Sequence, residues 1–338
     1  MKCIILAGGS GQRFWPFSSK ETPKQFLCLF GEKSLLRQTY ERMRFRLQPD
    51  DIYVVTGKTY VEKTLEELPE IKVENVIAEP FRRDTAGASF LASLFFPPEE
   101  IILTVPADHY IPDTERYWSN LEFAEDMIKK TGGLYVFGIK PLWPETGYGY
   151  IEVGNRIEGK LYMVDSFHEK PDRETAQKYI NRGNFFWNSG MHLWKNETFF
   201  EEMRLYFPEI YYNMKNINCR NEREVYEAFE KIPSISIDYA LFEKSKKVMS
   251  VVFDINWSDV GNWESIFQLE GPAQSKENRF LIDSENILIK THSEKPVAVI
   301  GCKNLIIAET ENGLLISDIA QSQKVKQVAK ILFSPGEK

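Results

Sequence analysis

Cysteine and histidine are scarce in this chain of 338 residues, four of each, and neither type clusters. Cys3, Cys28, Cys219 and Cys302 are scattered without metal-ligand spacing; Cys3 and Cys302 sit in apolar, strand-like runs, so the cysteines read as reduced and mostly buried. His109, His168, His192 and His292 have no His–Cys partners at zinc spacing, which sets a zinc site aside. No apolar run approaches the roughly 18 residues of a spanning helix, and no charged segment leads into an apolar stretch at the start. No membrane partner and a cytoplasmic location are therefore expected. A basic excess is missing too: Lys plus Arg is 42 against 49 Asp plus Glu, a formal charge of −7 with both signs interspersed. That balance argues against nonspecific nucleic-acid binding, and it requires any anionic substrate to be met by a local cationic pocket. Two common phosphate signatures are also absent after the first apolar run, the six-residue dinucleotide glycine spacing and the Gly-Lys-Ser/Thr that ends a P-loop.

What the chain does have is a glycine-rich break directly after an apolar run. Cys3 to Ala7 reads as a buried parallel strand, and it ends in Gly8, Gly9 and Gly11, where backbone N–H groups become available to a polyphosphate. Arg13 and Lys24 follow as counter-charges. An ordinary tight turn with two solvated cations is the plain alternative, but Phe14-Trp15-Pro16 is an odd way to leave a solvent-exposed turn.

The length favours one large domain and a smaller one, placed here at residues 1–267 and 268–338. Apolar runs alternate with helical spacing through the first part: Ser34 is placed to cap a helix, Asp51 to Thr56 reads as a strand, and Val73 to Ala78 as the next. Asp84 is placed as the N-cap of an apolar helix through Phe96, Glu100 to Val105 is a strand delivering Ala107-Asp108-His109, and a helix from about Glu115 to Lys130 precedes a strand at Leu134 to Gly138. Leu161 to Phe167 and Val248 to Phe253 are further strands, and Asn196 to Lys244 is helical, broken by Pro208 and Pro233. This alternation predicts an α/β, doubly wound mixed sheet. Polar groups gather where strands end, the place where open α/β sheets bind ligands. Past Gly271-Pro272 the apolar triplets Ile287-Leu288-Ile289, Leu305-Ile306-Ile307 and Leu314-Leu315-Ile316 resemble coils of a small β-helix or a short sandwich, and a final helix is expected at Ser322 to Leu332.

The block Leu-Ala-Gly-Gly-Ser-Gly-Gln-Arg-Phe-Trp-Pro with Pro23-Lys24-Gln25-Phe26 resembles the opening of the sugar-phosphate nucleotidyltransferases, and Trp15 with Lys24-Gln25-Phe26 is similar to the mannose-1-phosphate guanylyltransferase branch. Ala107-Asp108-His109, Thr146-Gly147-Tyr148-Gly149, Glu169-Lys170-Pro171, Trp187-Asn188-Ser189-Gly190 and Trp257-Ser258-Asp259-Val260-Gly261 resemble further family blocks in the family's order. The resemblance implies a nucleotidyltransferase domain followed by a small left-handed β-helix-like domain. It implies transfer of GMP from GTP to mannose 1-phosphate, with the same chemistry on glucose 1-phosphate and UTP, or a catalytically silent regulatory homologue, as the alternatives. Leu6, Ala7, Gly8, Gly9, Ser10, Gly11, Arg13 and Lys24, with Arg82, Asp84 and Thr85, are the implied nucleotide residues. Gly147, Glu169, Lys170 and Asn188 are implied for the sugar phosphate, and Asp108 and Asp259 for Mg2+. Arg13, Lys24 and Lys170 carry the catalytic charge in this scheme, and Asp238 is either near the sugar or only a helix cap. The chain departs from the family at Asp84 and Gly87, where Asn and Pro are usual, and at His192, where an apolar residue is frequent. A homodimer, as in relatives, and no isomerase activity complete the expectations.

Overall fold

The computed structural model describes residues 1–9, 11–276 and 278–333, and these fall into two compact units. The first comprises Met1–Gly8, Thr39–Ala107 and Ile111–Trp257; the second comprises Gly9–Gln38, Asp108–Tyr110 and Ser258–Lys338.

The first unit is organised by one sheet of nine strands: β1 (Lys2–Ala7), β2 (Ile52–Gly57), β3 (Val76–Glu79), β4 (Ile101–Pro106), β5 (Leu134–Ile139), β6 (Tyr150–Glu158), β7 (Leu161–His168), β8 (Phe185–Lys195) and β9 (Val248–Phe253). Their order is β3-β2-β1-β4-β8-β5-β9-β7-β6. The β3-β2-β1-β4 half is parallel, and β8 runs antiparallel to β4, β5 and β6, so the sheet is mixed as expected. Strand order reverses on either side of β1, a switch point that opens a crevice beyond its carboxyl end. Ala107 N–H donates to Leu6 O at 3.0 Å, holding the ends of β1 and β4 together there.

Helices α1 (Leu35–Arg44), α2 (Val61–Glu67), α3 (Asp84–Ser93), α4 (Thr114–Thr131), α5 (Arg173–Arg182), α6 (Asn196–Tyr206), α7 (Pro208–Met214) and α8 (Glu222–Lys231) follow in chain order. Ser34 Oγ accepts from Arg37 N–H at 3.0 Å, the cap expected of it. Two local readings change. Val73–Asn75 is a 3-10 turn rather than strand, because buried Asn75 turns inward to donate from Nδ2 to Ile52 O at 3.0 Å. Arg83, not Asp84, is the N-cap of α3; Asp84 stands in its first turn at φ 62°, a left-handed conformation that Asp and Asn tolerate better than most residues.

In the second unit, α9 (Trp263–Glu270) leads into β10 (Arg279–Ile282), β11 (Glu285–Thr291), β12 (Val297–Ile300), β13 (Lys303–Thr310) and β14 (Gly313–Asp318), and α10 (Val325–Phe333) follows. β10 pairs with β12 and β11 with β13, both parallel and both offset by 18 residues, as Arg279↔Val297 and Glu285↔Lys303 show. Successive coils therefore stack in register, and Asn286 Nδ2 donates to Asn304 Oδ1 one coil on at 2.9 Å. The third apolar triplet is not another coil: β14 returns antiparallel along β13, which explains its unequal spacing. No helix among the described residues is long and apolar enough to cross a membrane.

Candidate functional site

Each unit carries a polar cavity. That of the second unit, about 390 Å³, is lined by Gly11, Arg13, Lys24, Asp108, Asp259 and Lys326, among others. Its floor is set by a close backbone approach. Gly11 has φ 62°, and a Cβ there would stand 2.5 Å from Lys24 N, so only glycine lets the loop fold onto the Lys24–Phe26 turn. Lys24 is 8% exposed; its Nζ is 2.9 Å from Asp108 Oδ2 and also donates to the carbonyl oxygen of Asp259. Burial works to raise the Asp108 carboxyl, but Lys24, His109 and the Lys24 hydrogen bond outweigh it and hold the group below the ordinary carboxylate value. Asp108 is therefore ionised at neutral pH and paired with Lys24.

The aromatic exit from the glycine loop has a structural reason in the same unit. Trp15 O accepts from Trp263 Nε1 at 3.1 Å and Pro16 O from Thr310 Oγ1 at 3.0 Å. Phe14 is fully buried in a core shared with Trp263, Leu288, Ile306 and Val325. A Cβ at Gly313 would strike the Trp15 ring at 2.7 Å. The segments after Ser258 thus fix the loop that carries Arg13.

The cavity of the first unit, about 290 Å³, is lined by Asp84, Gly149, Glu169, Lys170, Asn188, Asp238 and Glu243, among others. Asn188 Nδ2 donates to Asp238 Oδ1 at 2.8 Å, and His192 Nε2 lies 3.3 Å from the same oxygen. The His192 ring is buried against Phe242, and its Nδ1 is 3.3 Å from Thr104 Oγ1. A ring with Nε2–H toward Asp238 and Nδ1 toward the Thr104 hydroxyl meets both partners. Burial works to raise the Asp238 carboxyl; the His192 hydrogen bond and charge and the Asn188 hydrogen bond prevail and lower it. Glu243 goes the other way, raised by burial and by Asp238 and Glu169. Glu169 and Lys170 pair with each other.

Most residues read from the sequence fall into these two cavities. Gly147 does not: its N–H donates to Glu145 Oε1 at 2.8 Å, and Gly149 takes the place beside Glu169. Leu6, Ala7, Gly8, Gly9, Arg82 and Thr85 line neither. Thr85 Oγ1 accepts from Ile237 N–H at 2.8 Å, tying α3 to the turn that carries Asp238, and Ser10 lies outside the described residues. Sequence reasoning passed over Glu79, the last residue of β3. It is 5% exposed, its Oε1 is buried without a hydrogen-bond partner, and Oε2 would be 3.6 Å from a Cβ on Gly8. Burial pushes its carboxyl up to about 7, with Arg82 opposing and Asp84 adding to the rise. The available signal was a carboxylate at a strand end directly before Pro80.

A glycine loop after β1, a cation-lined cavity and a parallel half-sheet with a switch point define a nucleotide-handling α/β protein. Residues 2–275 match the family model described as nucleotidyl transferase, and 277–332 match that of the MannoseP isomerase/GMP-like beta-helix domain. The chain belongs to the nucleotidyl transferase family, in its sugar-1-phosphate branch. It is 36% identical over 357 residues to a mannose-1-phosphate guanylyltransferase of Escherichia coli, covering 99% of this chain and 76% of that protein. An alginate biosynthesis protein AlgA of Pseudomonas fluorescens is 36% identical over 350 residues, covering 98% of this chain and 72% of its own length. A crystal structure described as mannose-1-phosphate geranyltransferase, from Thermus thermophilus, superposes with a TM-score of 0.88 at 29% identity, covering 98% of this chain and 99% of the other.

Proposed function

We propose that the protein transfers GMP from GTP to mannose 1-phosphate, releasing pyrophosphate and GDP-mannose. The observation that carries the choice of base is the similarity to a mannose-1-phosphate guanylyltransferase over nearly the whole chain, and Glu79 is the candidate reader of the base. An ionised carboxylate matches the adjacent N1–H and N2–H donors of guanine, two donors to two acceptors. Uracil and thymine present acceptors on both sides of their single N–H and would leave a carboxylate facing oxygen. The similarity to guanylyltransferases over nearly the whole chain supports the same donor and acceptor.

The chemistry asks little of a proton carrier. A sugar phosphate is largely dianionic at neutral pH, its second pKa being about 6, so its oxygen attacks the α-phosphorus without a general base. Catalysis then rests on alignment and charge neutralisation. Arg13 and the glycine loop take the β- and γ-phosphates, Lys24 neutralises charge near the α-phosphate, and Lys170 holds the incoming phosphate. Glu169, Asn188 and Asp238 accept from or donate to sugar hydroxyls. The carboxylates of Asp108 and Asp259 share one cavity and suit Mg2+, a hard cation that takes one or two carboxylates and completes its shell with phosphate oxygens and water. When bound, the ion would supply positive charge to the triphosphate; the donor set fits, with Lys24 already screening the Asp108 charge.

Parallel reactions with mannose and glucose 1-phosphates, each with GTP and UTP, test the assignment. GTP with mannose 1-phosphate should give the highest kcat/KM. A higher value for any UTP pair would refute the base assignment.

A further inference from the structure

We propose that Lys326, on α10, is a phosphate-binding residue, so that the terminal helix completes the cavity that holds the donor's leaving pyrophosphate. The identity of the anion rests on the proposed nucleotidyl transfer; the presence of an anion site does not.

Three cations line the cavity, Arg13, Lys24 and Lys326, against Asp108 and Asp259. Lys24 is already committed, to the Asp108 carboxylate and the Asp259 carbonyl. No ion pair links Arg13 or Lys326 to a carboxylate among the described residues. Arg13 and Lys326 are exposed cationic side chains that line one cavity with the backbone of the glycine loop, a setting open to an anion.

The fold explains why Lys326 stands there. Arg13 follows a glycine loop and precedes Phe14; Lys326 follows Val325. Phe14 and Val325 are buried in the same apolar core, at 0% and 3% exposure, so their neighbours are delivered to a common rim. The helix is anchored at both ends of this contact. Asp318 accepts from Ala320 N–H at 2.8 Å at the start of the 3-10 segment that enters it, and Ala329, one turn beyond Val325, is fully buried. Each helical residue turns about 100°, so Lys326 is directed to one side of this narrow buried stripe. α10 packs on the Gln12–Phe14 turn, the segment that carries Arg13. The Lys326 ammonium adds a mobile point charge where Arg13 supplies a planar fork.

The test is calorimetric binding of inorganic pyrophosphate to the full chain without added metal, comparing the wild type with Lys326→Gln, Lys326→Arg and Lys330→Gln. Lys330 lies one turn further along the exposed helix and does not line the cavity, so it controls for net charge. Loss of one charge-assisted contact should weaken pyrophosphate about tenfold in Lys326→Gln, with most of the affinity kept in Lys326→Arg and none lost in Lys330→Gln. Wild-type affinity in Lys326→Gln, or an equal loss in Lys330→Gln, would overturn the proposal, as would absence of pyrophosphate binding by the wild type. The readout needs no turnover, so a chain that binds pyrophosphate through Lys326 yet fails to use GTP would refute the functional reading alone.

Discussion

In the second unit's cavity, Arg13, Lys24 and Lys326 outnumber Asp108 and Asp259, whereas the first unit's cavity sets Asp84, Glu169, Asp238 and Glu243 against Lys170 and His168. The first of these suits a polyphosphate, whose negative charge requires cations that the protein holds apart until the ligand arrives. The second suits a polyol, whose hydroxyls donate to carboxylates and whose one phosphate needs one ammonium. Their construction differs as well. The cationic cavity is assembled from a glycine loop, a short turn after β4 and segments beyond Ser258, held by an apolar core; the acidic one is carried by the end of β7, the middle of β8, the start of α3 and the turn after α8, and is tuned by a hydrogen-bond chain from Thr104 through His192 to Asp238. A chain with a net charge of −7 thus carries a local excess of cations in the second unit's cavity.

The contrast breaks most completely at Asp108. Asp108→Ala removes a carboxylate proposed to hold Mg2+ and leaves Lys24 without its ion pair, and turnover should fall by about 10³-fold or more with little change in the mannose 1-phosphate KM. Steady-state kinetics at saturating magnesium check this; unchanged magnesium-dependent turnover would remove the metal assignment.

The base reading is sharpened by pH. Glu79 titrates near 7 because burial penalises its charged form, and guanine needs that charged form as acceptor. The KM for GTP should therefore fall as pH rises through about 7 and level off above it. Glu79→Gln should flatten that dependence and cost roughly 10²-fold in kcat/KM for GTP, the scale of losing hydrogen bonds to a buried charged group. A GTP profile of the same shape in both proteins would end the assignment.

A smaller effect belongs to the acidic cavity. His192→Leu frees the Asp238 carboxylate from one of its two side-chain donors, and the KM for mannose 1-phosphate should rise about tenfold while that for GTP stays put. His192→Gln, which keeps an N–H at the same reach, should recover most of the loss. Equal changes in both KM values would make His192 a packing residue only.

The parallel half of the sheet was legible because apolar runs there alternate with helical spacing and stop at Gly, Pro or Asp. Phe185–Lys195 was harder to read as a strand, since aromatics, Asn188 and Gly190 interrupt any period of two, and Gly190 indeed takes φ 64° within it. Site residues in contiguous blocks, Gly11 to Lys24 or Glu169-Lys170, could be picked out because each block lies together in the sequence and resembles a family motif. Glu79, Gly149, Lys326 and the His192–Asp238 pair could not, because their significance is created by burial or by packing between segments far apart in the chain. His192 read as a structural departure from an apolar pattern; its meaning depends on Asp238, which lies on the turn after α8.

The most direct measurement is pyrophosphate release from GTP by the purified protein on addition of mannose 1-phosphate, with and without magnesium, alongside quantification of GDP-mannose. Release should require both the sugar phosphate and the metal, with GDP-mannose formed in equal amount. Bound GTP without any release, or release that ignores the sugar phosphate, would contradict the proposed transfer.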